Sequence, residues 1–164
     1  MTNDPIYKAN IGGGELKVTE SRIIAELLLN NTDDKTWHQA IVVENILQHK
    51  SPAFAQRQSS LIRSRLSLMK PELWELIKDG SKKTATDAVF AAAIKHSALL
   101  ADFLDLVVRA EFKIYSNALT KKHWTKYLSD CHARDPNMPQ WAESTESRLA
   151  SSIWGILVEV GYLS

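Results

Sequence analysis

The chain has 164 residues, with 20 Lys and Arg against 19 Asp and Glu and a formal net charge of +1. Hydrophobic residues make up 45% and charged residues 24%, with six glycines and five prolines, which excludes wholesale disorder and collagen-like repeats. A neutral total excludes a chain coated in positive charge but leaves open a single basic face.

Cys131 is the only cysteine, so no internal disulfide forms. The longest apolar run, residues 88–94, falls far short of the roughly 20 residues of a membrane span. Met1-Thr2-Asn3-Asp4-Pro5 has neither the basic nor the apolar segment of a leader. The expectation is a cytoplasmic protein with no membrane contact.

Residues 1–18 show no helical period, and Gly12-Gly13-Gly14 predicts a flexible or loosely docked arm. Thr19 is an N-cap candidate for a helix over 20–29, where Ile23, Ile24, Leu27 and Leu28 share one face. Asp33 or Asp34 can cap a second helix, over 35–48, with Trp37, Ile41, Val42, Ile46 and Leu47 as its stripe. After the link His49-Lys50, Ser51-Pro52 marks a third helix over 53–69, with Ser at the N-cap and Pro where no backbone donor is lost. Pro71 opens a short helix over 72–78, and Gly80 is assigned a left-handed C-cap.

From Thr86 the pattern is helical again, and 88–94 is apolar almost all round, as in a buried helix. His96-Ser97 interrupts it before a long stripe over 98–115. Thr120 caps a helix to about Cys131, Asp135-Pro136-Asn137-Met138-Pro139 is a loop, and a last helix over 140–160 closes at Gly161. No segment alternates as a strand does. The predicted fold is all-α: an arm over 1–18, then two small helical subdomains sharing a core, 19–80 and 81–164, the first helix-turn-helix-like.

The charge is unevenly spread. Residues 45–71 hold Lys50, Arg57, Arg63, Arg65 and Lys70 with no acidic residue, a local +5 against −4 for the remainder. On the third helix Phe54, Leu61, Ile62, Leu66, Leu68 and Met69 fall on one side, and Gln56, Ser60, Arg63 and Ser67 opposite, with Ser59 and Arg57 at the rims. Gln56 and Arg63 suit bidentate contacts to base edges, and small serines let the backbone approach phosphate. Arg65 falls on the apolar side, where it must snorkel, pair or sit at a joint between subdomains. A helix, a short link and a Pro-led basic helix have the order of a helix-turn-helix; the plain alternative is an amphipathic helix with a solvated face. Arg109, Lys113, Lys121, Lys122 and Lys126 form a second basic stretch, with the same two readings. The last helix has a Gly-aromatic-Leu exit like the lead-in to a wing, but no wing strands follow, and Glu143 and Glu146 oppose phosphate contact.

Catalytic signals are weak. The glycine run lacks the Lys-Ser/Thr of a phosphate loop. His123, Cys131 and His132 do not converge on one helix face, which disfavours both a metal site and a Cys–His pair. Asp102 and Asp105 lack further carboxylates, and Asp105 is placed to pair with Arg109.

Several short signatures occur in order: Glu44-Asn45-Ile46-Leu47-Gln48 with Lys50-Ser51 and the basic run through Arg57, Arg63 and Arg65; residues 73–80 before an Ala-rich helix; Leu99-Leu100-Ala101-Asp102-Phe103-Leu104; and Trp141-Ala142-Glu143-Ser144-Thr145 leading to Leu157-Val158-Glu159-Val160-Gly161-Tyr162-Leu163. Over 19–164 this order resembles the BrxA family of the BREX phage-defence systems. The resemblance implies a small helical protein, NusB-like, with DNA binding and no known catalytic activity. It therefore implies a non-enzymatic, cofactor-free component that binds double-stranded DNA and has other BREX proteins as possible partners. The basic region of the family carries over to Lys50, Ser51, Arg57, Arg63 and Arg65. With Gln56, Ser60, Lys121 and Lys122, read from the helix faces, these are the candidate contacts. An RNA-binding module and a protein–protein adaptor are the alternatives.

Overall fold

A computed structural model describes residues 3–11 and 15–164. Among these the secondary structure is helical throughout. Helix α1 (Val18–Leu29) is followed by α2 (Asp34–His38), which runs without a break into a π-helical turn, Gln39–Val43. Then come α3 (Pro52–Leu66), α4 (Pro71–Asp79) and α5 (Lys82–His96). Helix α6 (Ala98–Phe103) passes through a second π turn, Leu104–Val108, into α7 (Arg109–Lys113). Helices α8 (Lys121–Arg134) and α9 (Glu143–Glu159) complete the chain.

Local capping explains most boundaries. The Asp33 carboxylate accepts from Thr36 N–H at 2.7 Å, and its bonding to Thr36 holds its pKa below the ordinary value. Ser51 Oγ accepts from Phe54 N–H at 3.2 Å, Ser81 Oγ from Thr84 at 3.1 Å and Ser97 Oγ from Leu100 at 3.2 Å. Thr120 and His123 form a reciprocal capping box at the start of α8. Gly161 adopts φ +83°, the left-handed exit expected of it.

Several boundaries differ from the sequence expectation: α3 ends at Leu66 rather than at Met69, α5 begins at Lys82 rather than at Thr86, and α9 begins at Glu143 rather than at Gln140. The second helix stops at Val43, not at Gln48, because Asn45 and Gln48 both take positive φ (51° and 57°). The Asn45 side chain closes this link on itself, its Nδ2 donating to His49 C=O at 2.9 Å and its Oδ1 accepting from His49 N–H at 3.0 Å. Helix α1 begins at Val18, with Lys17 in the capping position and no side-chain cap from Thr19. Gly80 is extended (φ −71°, ψ 165°), not left-handed. Glycine is needed there because a Cβ would lie 2.3 Å from Leu76 C=O.

One hydrophobic core runs from the N-terminal segment to α9. Helix α1 packs on α4, with the Arg22 guanidinium donating to the Ile77 and Lys78 carbonyls at 3.0 Å each. Helix α5 packs against α1, α3 and α4. Phe103 lies among Tyr127, Trp154 and Trp124, ring centroids 5.1, 5.5 and 5.7 Å away. The Tyr127 hydroxyl donates to Leu99 C=O at 2.6 Å.

Part of the segment before α1 packs onto the helices; Gly12-Gly13-Gly14 lies outside the described residues. Tyr7, Ile11 and Leu16 are buried in the common core. A buried carboxylate, Asp135, accepts Ile6 N–H at 2.8 Å and Tyr7 N–H at 3.1 Å through one oxygen, and Asn137 N–H at 3.1 Å through the other. The Tyr7 hydroxyl donates to Asp102 at 2.5 Å and accepts from Arg134 Nε at 3.1 Å. Burial and the bond to Asp102 hold the Tyr7 hydroxyl above its ordinary pKa. Glu159 accepts Leu16 N–H at 3.0 Å.

Replacing Asp135 orphans the buried Tyr7 N–H and the part-buried N–H groups of Ile6 and Asn137. Asp135→Ala is expected to cost about 3 kcal/mol, read as a lower urea midpoint with little change in slope. Asp135→Asn, which keeps one acceptor, is expected to cost less.

Candidate nucleic-acid interface

The outward stripe of α3 consists of Ala53, Gln56, Arg57, Ser60, Ser64 and Ser67, all exposed. Its spacing of three and four residues is that of one helix face, and it carries no acid. Lys50 and Ser51 precede it and are also exposed. The Ser51 hydroxyl is engaged as the N-cap, so at the start of α3 only the free backbone donors remain for an anion. The link 44–51 is longer than the three or four residues usual between the helices of a helix-turn-helix. Asn45 and the edge-on contact of His49 with Phe54, 4.9 Å between centroids, fix it against the start of α3.

The arginines divide into three situations. Arg57 is exposed, its guanidinium 5.9 Å from the Phe54 ring centroid. Arg63 lies 4.2 Å over the Trp37 ring and 3.7 Å from Asp34, so part of its charge is matched within the protein. Arg65 is buried, at 2% exposure, and donates through Nη2 to Ile11 C=O at 3.2 Å. This corrects its assignment as a nucleic-acid contact: the guanidinium is used inside the fold, between α3 and the N-terminal segment. Burial lowers its pKa to about 10 despite the nearby Glu159.

Lys121 and Lys122 are exposed at the start of α8. Lys121 lines a groove with Trp124 and Trp154 and with Ser147 and Ser151 of α9. In the second basic stretch, Arg109 pairs with Asp105 at 3.1 Å and Lys126 with Asp130 at 3.4 Å. Cys131 is buried, and desolvation raises its pKa, the opposite of an activated thiol.

A cleft of about 630 Å³ adjoins the basic stripe. Phe54, Arg57, Gln58, Ser60, Leu61 and Ser64 of α3 form one wall, and Asn10, His96 and Arg148 complete it. Asn10, Gln58, His96 and Arg148 were not among the candidates read from the sequence. Gln58 sits four residues after Phe54, on the apolar side, the same irregularity that singled out Arg65. Nothing local marks the other three. Desolvation, with Arg65 and Lys8 nearby, holds the His96 imidazole below its ordinary pKa of 6.5.

The chain matches the BrxA family over residues 5–164. It belongs to the BrxA family. Two relatives described as "BREX protein BrxA" share this assignment. That of Paramagnetospirillum magneticum (strain ATCC 700264 / AMB-1) is 56% identical over 161 residues, covering 98% of this chain and 81% of its own. That of Escherichia coli O9:H4 (strain HS) is 33% identical over 163 residues, covering 99% and 76%. The fold matches a crystal structure of an uncharacterized protein from Magnetospirillum magneticum with a TM-score of 0.90 and 54% identity, over 98% of this chain and 82% of that one. The chain is thus a BrxA component of a BREX phage-defence system. Among the described residues no helix is long and apolar enough to cross a membrane.

Two stability outcomes follow from the buried Arg65 and the half-buried His96. Among the described residues Arg65 has one hydrogen bond, with Nε and Nη1 unpartnered, so a volume-matched apolar side chain removes a desolvation cost. Arg65→Met is expected to melt at or above the temperature of the parent, and Arg65→Ala below it through the cavity left behind. His96 has a folded pKa below its unfolded value, so the unfolded chain binds the proton more readily. Its contribution is complete above pH 6.5 and is lost as pH falls from 6.5 through the lower folded pKa. Urea unfolding at pH 7.5 and 5.5 is expected to show a smaller difference in His96→Gln than in the parent.

Proposed function

We propose that this BrxA chain is a non-enzymatic, cytoplasmic, double-stranded-DNA-binding component of its BREX system. The observation that carries this reading is the acid-free exposed stripe of α3, led by Lys50 and bearing Arg57. Its small serines allow close approach of a phosphate backbone, and Gln56 is free to reach a base edge. Lys121 and Lys122, across the exposed part of α9, supply further phosphate contacts. Arg63 contributes mainly by shaping the α2 side of the stripe. Arg65 makes no contact.

Few cations are unmatched on this surface, so the salt dependence is moderate. If about two to four phosphates are neutralised, a plot of log affinity against log salt has a slope of about −2 to −4. Fluorescence anisotropy with a labelled duplex between about 50 and 200 mM salt measures it. The paired substitution Lys50→Glu with Arg57→Glu is expected to weaken binding at least tenfold, while Arg65→Met leaves it unchanged. No binding at micromolar protein in low salt, or parental affinity in the Lys50/Arg57 variant, overturns the reading. Stronger binding of a matched RNA duplex transfers it to RNA.

A further inference from the structure

The cleft beside α3 has features that a surface for a regular duplex does not need. Among the described residues, its inner wall holds polar atoms without partners. Gln58, only 4% exposed, lines the cleft with Oε1 unpaired. Asn10 Oδ1 and His96 Nδ1 are likewise buried and unpaired, although Asn10 Nδ2 reaches His96 C=O at 3.4 Å. An unsatisfied buried amide costs stability unless something fills its valence. At the mouth stand two arginines, Arg57 and Arg148, both exposed, and Ser60 and Ser64 lie between α3 and solvent. Phe54 and Leu61 give an apolar side wall. No carboxylate lines the cleft among the described residues. Beside it, desolvation first and then the charges of Arg65 and Lys8 lower the pKa of His96.

We propose that this cleft binds a single nucleotide, with its phosphate between Arg57 and Arg148, its base against Phe54 and Leu61, and the base edge read by Gln58 and Asn10. A plain anion fits less well, because it satisfies the guanidiniums but leaves the amides unpaired and the apolar wall unused. The volume is that of an ordinary small-molecule pocket, and an aromatic wall beside guanidiniums is the usual means of holding an unstacked base. The nucleotide has two possible sources, a free mononucleotide or an unpaired residue of a strand. Neither requires the duplex-binding reading to hold.

Equilibrium dialysis of the intact chain against 5′-mononucleotides, a ten-residue oligothymidylate and inorganic phosphate tests this. Saturable binding of one mononucleotide per chain is expected, weakened at least tenfold by Arg148→Glu. Gln58→Leu, matched in volume, is expected to weaken nucleotide binding about tenfold without affecting phosphate. Binding of the oligonucleotide alone keeps the proposal and assigns the source to an unpaired strand. Lys50→Glu is expected to lower duplex affinity and leave nucleotide binding intact, so the two readings fail separately. Equal affinity for phosphate and nucleotide, indifference to Arg148→Glu, or no saturable binding of nucleotide and single strand overturns the proposal. The far-ultraviolet circular dichroism of each variant is compared with the parent, and the exposed Arg148→Glu decides if Gln58→Leu unfolds.

Discussion

The segment before α1 is the piece on which the remaining packing depends. Its described residues form no helix, and their buried backbone needs partners from elsewhere. Asp135 takes the amides of Ile6 and Tyr7, Asp102 takes the Tyr7 hydroxyl, Arg65 reaches Ile11 C=O, and Glu159 takes Leu16 N–H. These side chains come from α3, α6, the loop after α8, and α9. One irregular segment thus ties together helices distant in sequence, and three of its side chains, Tyr7, Ile11 and Leu16, enter the same core.

This arrangement decides what α3 has left to offer outside. Arg65 and Gln58 lie on the inner side of that helix, Arg63 turns towards Trp37 and Asp34, and Arg57 remains open to solvent. The local excess of positive charge in residues 45–71 is therefore larger in the sequence than on the surface. The neutral total of the chain is a cancellation between regions, and within the basic region a further part is absorbed by the fold. The exposed remainder is narrow and polar, a shape suited to contact along one line.

Boundaries set by short-range chemistry were legible in the sequence. Ser51-Pro52, Ser97 and Gly161 act on their own or adjacent turns, and each marks a true helix end. The all-helical fold and the family resemblance were equally readable. Features set by distant partners were not. The burial of Tyr7, Ile11 and Leu16 has no period to reveal it, because their neighbours lie on several different helices. Arg63 reads as an outward base contact until α2 brings Trp37 beneath it. Arg65 was visible as an anomaly on an apolar face, but its acceptor, a carbonyl in the N-terminal segment, was not. The π turns that interrupt 39–43 and 104–108 add no residue type that a periodicity count detects.

The same docked segment imposes an order on folding. The hydrogen bonds of Ile6 to Asp135 and of Leu16 to Glu159 join residues 129 and 143 positions apart. Helices such as α3 and α5 can form from local contacts as soon as their residues are available, whereas closures of this span are costly in chain entropy and come late. During synthesis Ile6 and Leu16 therefore emerge well before Asp135 and Glu159, their acceptors. Tyr7 and Ile11 spend that interval without the core that will cover them, so a segment made before α1 is locked after it.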